Sequence, residues 1–300
     1  MISGSIFGLG TILVDHQVYM EHHPEADTKG EVHHDRYQVG GPVPTALCLL
    51  NQFGFRTTFQ GQWTDDPFGQ MIELDLLKNG INFVAPVAHP KSKTGFAHVW
   101  VESTTGRRTI AAYRGSHPID DKHVAEDELK NHDALHLDGW SAPASIKAAG
   151  IIRKHGGKVF MDLGSPKPDL KDLLKSVQFL NCPASLLDRL FPDENPKKSV
   201  QKLLQLGPQE ITVTHGANGA WHCTESGIIR RQAFAIDAND TSGAGDVFSG
   251  AMIYGTMQGW EPAVKLEFAC AAAALKCRKQ GNRDALPTLK EVRSFLEENH

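Results

Sequence analysis

From Ala134 onward the sequence alternates short apolar or β-branched runs with longer segments of helical period, and few folds accept that rhythm. Ala134–Leu137, Lys158–Asp162, residues 177–180 and Glu210–Thr214 read as strands. Residues 144–155 read as a helix between the first two, and another helix precedes the third. Three more follow the glycines around position 243, at 246–257, 262–276 and Leu289–Glu298. Strands joined through helices run parallel, and a parallel sheet must be covered on both faces. The expected fold class is α/β, a mostly parallel sheet with helices on both sides.

The amino-terminal half keeps part of this rhythm. A first strand at the amino terminus precedes a helix opened by Gly40-Gly41, in which Val43, Ala46, Leu47 and Leu50 recur at helical spacing until Phe53-Gly54. A strand at 56–61 and a helix at 67–79 follow. Two polar, extended stretches do not fit. One carries β-like pieces at 16–20 and 31–37; the other runs out at 94–101, turns at Thr104-Thr105-Gly106 and returns at 107–113. The chain is therefore divided into an α/β domain of residues 1–13, 40–92 and 117–300, and a small discontinuous β lid of residues 14–39 and 93–116.

Composition narrows the functional classes. Apolar residues are 40% and charged residues 22% of 300, which excludes wholesale disorder. Thirty-one basic against 35 acidic residues leave a net charge of −4 with no basic stripe, so nucleic acid is not an expected partner. No apolar run reaches the roughly 18–20 residues that span a bilayer, and the glycine-broken amino terminus reads as a strand and not a signal peptide. Five cysteines without a C-x-x-C pair, two of them (Cys270 and Cys277) on one helical face, point to a reduced, cytoplasmic chain.

The chemistry concentrates in Asp240-Thr241-Ser242-Gly243-Ala244-Gly245-Asp246, which opens a helix. Small residues immediately before a helix leave backbone N–H groups bare, and the helix dipole adds positive potential there. Gly243, Ala244 and Gly245 thus form an anion hole. A carboxylate beside such a hole would repel a resting phosphate, but it is useful for deprotonating a hydroxyl that attacks one. Asp246 is the candidate base.

The whole string resembles the D-T-x-G-A-G-D signature of the ribokinase-like (PfkB) carbohydrate kinase family. Other segments resemble that family in order and spacing: Asp15 after the first strand, Gly40-Gly41-Pro42-Val43-Pro44-Thr45-Ala46 as the substrate loop, Gly106-Arg107-Arg108-Thr109 on the lid, and Thr214-His215-Gly216-Ala217-Asn218-Gly219 as the nucleotide loop. The resemblance implies a Rossmann-like α/β domain with a β lid, transferring the ATP γ-phosphate to a hydroxyl of a small carbohydrate. It implies Asp246 as base, Asp15, Gly40, Gly41, Thr45 and Arg108 around the substrate, and Asn181, Thr214, Gly216, Gly219 and Thr241 around the nucleotide. Magnesium on the ATP phosphates, a potassium-type monovalent cation near Asp240 and Ser242, and a homodimer through the lid are implied likewise.

The carboxy-terminal segment around Asn282-Arg283 is similar to that of ketohexokinase-like and sulfofructose-kinase-like members, which favours a ketose or modified hexose. Thr45 replaces the family's Asn, and Ala184 replaces the Glu of its N-x-x-E motif. Where the sulfofructose enzymes place an anion-binding Arg, this chain has Gly139. A nucleoside kinase of the same family and a non-catalytic sugar sensor are the rival readings. A nicotinamide oxidoreductase is disfavoured, because Gly8-Leu9-Gly10 lacks the third glycine of the dinucleotide fingerprint. The pairs His22-His23 and His33-His34 read as solvated lid surface and not as metal ligands, since adjacent strand residues face opposite ways.

Overall fold

The computed structural model describes residues 4–89, 91–105, 107–115 and 117–299. Residues 1–3, assigned above to the amino-terminal strand, and Gly106, assigned to the hairpin turn, lie outside the described residues. The strands in chain order are β1 (Ser5–Leu9), β2 (Leu13–Met20), β3 (His34–Gly40), β4 (Arg56–Gln60), β5 (Asn82–Phe83), β6 (Phe96–Glu102) and β7 (Arg108–Tyr113). They continue as β8 (Ala134–Leu137), β9 (Lys158–Asp162), β10 (Phe179–Pro183), β11 (Glu210–Thr214), β12 (Ala220–Thr224) and β13 (Gly227–Arg231).

The large sheet has the order β13-β12-β11-β10-β9-β8-β1-β4-β5 and is parallel from β5 through β11. The last two strands form an antiparallel hairpin on β11. Sequence reading missed that hairpin because Thr224 to Gly227 makes a turn without an Asn-Gly or Asp-Gly pair. The remaining four strands, in the order β3-β2-β6-β7, make a separate sheet from the two extended stretches that break the α/β rhythm.

The helices are α1 (Pro42–Gln52), α2 (Pro67–Lys78), α3 (Glu126–Leu129), α4 (Ala142–Lys154), α5 (Leu170–Ser176), α6 (Ala184–Leu190), α7 (Pro196–Leu204), α8 (Ala244–Met257), α9 (Pro262–Cys277) and α10 (Leu289–Glu298). Strand alternation sorts side chains to two faces. Ile6, Ala134 and Phe160 join α1, α8 and α9 in one core, while Phe7, Leu135, Val159 and Met161 join α4 and α5 in the other. Helix α1 starts at a proline in its first turn, where no N–H is needed. Helix α7 went unread from sequence, although Asn195 caps it and Pro196 opens it. Among the described residues no helix is long and apolar enough to cross a membrane. Cys48, Cys182, Cys223, Cys270 and Cys277 are all buried and unbridged.

Helix α8 carries no polar stripe in its middle and is buried from Val247 to Gly255. It is wedged between α1 and α9, and the wedge is tight. A Cβ on Gly250 would stand 3.1 Å from the Ala46 carbonyl oxygen and 3.1 Å from a Leu49 methyl. Gly250→Val should therefore lower unfolding stability by about 1–3 kcal/mol, the usual cost of overpacking. Urea unfolding measures it, and an unchanged midpoint would show that α1 and α8 yield freely.

Candidate active site

Parallel sheets open their crevices at the carboxyl ends of their strands, and this sheet places a ring of carboxyl groups there. Asp138 follows β8 and Asp162 ends β9. Asp138 accepts from the backbone N–H of Thr11 at 2.6 Å and of Trp140 at 2.8 Å, which fixes it against the turn after β1. Asp162 accepts from the Ser249 hydroxyl at 2.7 Å, and that hydroxyl accepts from the Asn181 amide at 2.6 Å. The third carboxyl of the ring, Asp246, lies in the first turn of α8, and the fourth, Asp15, comes over from β2.

These carboxyls press on one another. Burial, and next the Asp162 carboxylate, push Asp246 up to about 7; Asp15 and Asp138 add to this, and the Lys276 ammonium opposes it. Burial raises Asp15 to about 6 against the pull of Arg283 and Arg108. Asp162 is also raised to about 6, chiefly by burial, with its hydrogen bond from Ser249 opposing. A carboxyl held near neutrality is matched to taking a proton at neutral pH.

The turn before α8 exposes donors to the same place. Gly243, the N-cap, has φ +74°, and a Cβ on it would strike Asn282 Oδ1 at 2.2 Å, so only glycine fits. Among the described residues, the Gly243, Gly245 and Asp246 amides have no protein acceptor. The Ala244 amide, expected in the anion hole, instead donates to the Thr241 carbonyl at 3.2 Å and is withdrawn from it. Gly245 faces open space on its Cβ side, so a chemical group can approach the backbone closely.

Thr214, Gly216, Gly219 and Thr241 come together with Ala244 and Gly245 around one cleft of about 470 Å³. Its other walls are small or apolar, including Phe234, Ala273, Ala274 and Cys277. A polar floor of amides with apolar walls suits a nucleotide, phosphates inward and base outward. Asn181 does not join this cleft. It lies behind α8 beside Ser249 and His136, and its buried Oδ1 lacks a partner. That orphaned oxygen and the Asp162 carboxylate are hard donors of the kind magnesium takes.

On the other side, Gly40 and Gly41 bring backbone against Asp15. A Cβ on Gly40 would stand 2.5 Å from Asp15 Oδ2, and Gly41 has φ +115° with its Cβ position only 2.3 Å from the Thr11 carbonyl oxygen. Two expected substrate contacts are otherwise engaged. Thr45 is fully buried, and its hydroxyl accepts the Asn282 amide at 3.3 Å, so it positions the residue beside Gly243 and offers the cleft nothing. Arg108, expected on an anionic substrate group, donates to the Ser242 hydroxyl at 2.5 Å.

The potassium-type site does not fit either. The Lys276 ammonium, fully buried, donates to the Asp240 carbonyl at 2.8 Å. Like charges roughly 4 Å apart repel by about 4 kcal/mol at an effective dielectric of about 20, so a cation cannot share that carbonyl. Asp240 is filled from other sides too, by Ser242 N–H at 2.8 Å, Gly281 N–H at 3.0 Å and Arg36 at 3.4 Å. Burial works against ionising Asp240, but these bonds and Lys276 hold it below the usual carboxylate range. Among the described residues no three His, Cys, Asp or Glu side chains cluster as metal ligands, the lid histidines included.

Sequence reasoning assigned no role to Asp138, Asp162, Asn282, Arg36 or Lys276. The two aspartates carried a signal, since each closes a strand at the carboxyl edge. Arg36 and Lys276 carried none, because each acts on a loop some 200 or 36 positions away.

Known proteins share this fold and sequence. A profile of pfkB family carbohydrate kinases matches residues 4–289. A 5-dehydro-2-deoxygluconokinase of Geobacillus thermodenitrificans is 25% identical over 314 residues, covering 96% of this chain and 92% of that protein. The structure of Arabidopsis thaliana ribokinase with ribose and ATP superposes with a TM-score of 0.82 at 23% identity, over 98% of this chain and 99% of that one. A candidate ribokinase II from E. coli, solved with ATP and Mg²⁺, gives 0.84 at 21% identity with the same coverage of 98% and 99%. The fold is that of ribokinase, and the match over nearly the whole length establishes that the chain belongs to the pfkB family of carbohydrate kinases.

Proposed function

We propose that this protein transfers the γ-phosphate of ATP to a hydroxyl of a ketose or modified hexose, with Asp246 as general base. The observation that carries the reading is the Asp246 carboxyl, raised to about 7, standing in the first turn of α8 beside amides that no protein group accepts. A binding module has no use for a base at that point.

The acceptor lies between Asp15, the Gly40-Gly41 backbone and Asp246, with the four-stranded sheet over it as a lid. Asp246 takes the hydroxyl proton while the oxygen forms its bond to phosphorus and the bond to the ADP oxygen breaks. The Gly243 and Gly245 amides stabilise the charge spread over the phosphoryl oxygens, usually the largest contribution in such reactions. Asp162 and Asn181 would hold magnesium, which when bound would supply positive charge to the ATP phosphates. The lid excludes water, which limits hydrolysis of ATP. The small sheet exposes Tyr37 and Tyr113 on one face and Ile110 on the other, apolar surface that supports a homodimer through this sheet.

The charges near Asp138 refine the acceptor. Burial lowers the Lys167 ammonium, while Asp138 supports it and Arg114 opposes it. Two cations at that rim favour an acceptor with an anionic group, as in the keto sugar acid denoted by the Geobacillus relative's name. ADP release across ketoses, aldoses, keto sugar acids and nucleosides tests this. Turnover confined to nucleosides, or stabilisation by sugars without ADP release, overturns it.

Two outcomes are expected of Asp246→Asn. Turnover should fall roughly 10²–10⁴-fold while MgADP affinity changes little, the pattern of a lost base; near-normal turnover would refute the assignment. The second outcome is a pH effect. Folded Asp246 holds its proton up to about 7, against 3.8 for an unperturbed aspartate. Between those values the folded state binds more protons, so this residue costs wild type stability as pH rises through that window. Asn does not titrate, so the variant's thermal midpoint should rise relative to wild type between about pH 4 and pH 8. Parallel pH profiles would show that Asp246 is not raised.

A further inference from the structure

We propose that Lys276 is a built-in monovalent cation, a positioning residue whose ammonium does for the loop before α8 what a bound potassium-type ion would do. Nucleotide binding then has no requirement for such an ion. The inference rests on the nucleotide reading of the cleft given above.

Lys276 sits in the last turn of α9 with no exposed surface. Lysine almost never buries its charge without a partner, and this one does not extend along the helix to water. Its Nζ donates to the Asp240 carbonyl at 2.8 Å and stands 3.9 Å from Asp240 Oδ1. The main chain around it is tied to the same helix end, since Asn239 and Asp240 both donate N–H to the Cys277 carbonyl, at 2.8 and 3.2 Å. Asp240 then passes the constraint forward, its carboxylate accepting the Ser242 amide at 2.8 Å, one residue before Gly243. The charge also acts at the reacting centre, where the ammonium opposes the rise of Asp246.

The charged groups facing Lys276 come from several elements: Asp240 from the loop, Arg36 from β3 and Arg108 from β7, with the Cys277 thiol beside it on α9. Two carboxyl groups, Asp240 and the raised Asp246, stand among three cations, which leaves no electrostatic demand for a fourth cation. A tethered ammonium is present at fixed occupancy, whereas a free ion's occupancy follows its concentration.

The test measures MgADP binding by titration calorimetry, and thermal midpoints without nucleotide, in tetramethylammonium chloride and in potassium chloride at equal ionic strength. Wild type should bind MgADP within about 2-fold in the two salts, and its midpoint should agree within about 1 °C. Lys276→Met should bind roughly 10-fold or more weakly in tetramethylammonium, and potassium or ammonium ions should recover at least about 3-fold of that loss. Rescue by a free ion separates a cationic role from simple packing. Lys276→Gln, which keeps a donor without the charge, should behave as Lys276→Met does.

A roughly 10-fold gain in wild-type affinity on adding potassium overturns the proposal, as does Lys276→Gln binding at the wild-type level in tetramethylammonium. Should Lys276→Met not fold, the wild-type salt comparison decides alone. Should MgADP bind in neither salt, the nucleotide reading has failed and the midpoints decide. A wild-type midpoint raised by about 3 °C or more in potassium then overturns the proposal, and a rise confined to the Lys276 variants supports it.

Discussion

The turn at Gly243 depends on one steric constraint. Its left-handed backbone lies where any side chain would collide with Asn282, and Asn282 is itself held by the buried Thr45 hydroxyl. Three distant segments therefore agree on a single position for the start of α8: the beginning of α1, the turn itself and the loop after α9. The body of the helix contributes the remainder. Because α8 is buried on nearly every side between α1 and α9, its first turn cannot tilt without disturbing the largest core of the protein. Bare amides and the Asp246 carboxyl are thus aimed by packing, and no local hydrogen bond has to occupy the amides to hold them still.

Around that turn the charges are nearly balanced but not paired off. Asp15, Asp138, Asp162 and Asp246 share one crevice; burial holds Asp15, Asp162 and Asp246 near neutrality, and repulsion from neighbouring carboxylates adds to it at Asp162 and Asp246. Arg283 is buried behind Asp15 and is committed to Asp75. Lys276 is committed to the Asp240 carbonyl. The cations therefore temper the carboxyl groups without forming contact pairs that would lock them ionised. A base that is too acidic accepts no proton, and one that is too basic is already protonated; the mixture of burial, like charge and distant cations sets the compromise.

The α/β architecture was legible because hydrophobic period and glycine placement are local. Lys158–Asp162, Glu210–Thr214 and Leu289–Glu298 were read to the residue, and the split sheet was recognised from two segments that broke the rhythm. The turn at 240–246 was legible for the same reason, as a contiguous string. What was not legible was ownership of side chains. Thr45 and Arg108 have the chemistry to touch a substrate, yet each has a nearer protein partner that only the tertiary fold supplies. Asn181 likewise turns to Ser249, because adjacent strands and a covering helix put that hydroxyl 2.6 Å away. The Ala244 amide was lost to a backbone bond within its own turn, a detail of φ and ψ that residue identity does not specify.

Arg36 and Arg108 connect the two sheets in a way that neither motif suggests. They lie on β3 and β7, the two edge strands of the small sheet, yet both side chains end on the loop before α8, at Asp240 and Ser242. Arg36 is braced from its own sheet by Gln17, which accepts its Nε at 2.6 Å, so the reach is directed and not incidental. Asp240 receives Arg36 on one carboxylate oxygen and the Ser242 amide on the other, so a displacement of the small sheet would act on the backbone immediately before Gly243. The small sheet and the turn that opens α8 are consequently parts of one hydrogen-bonded unit, and position in either fixes position in the other.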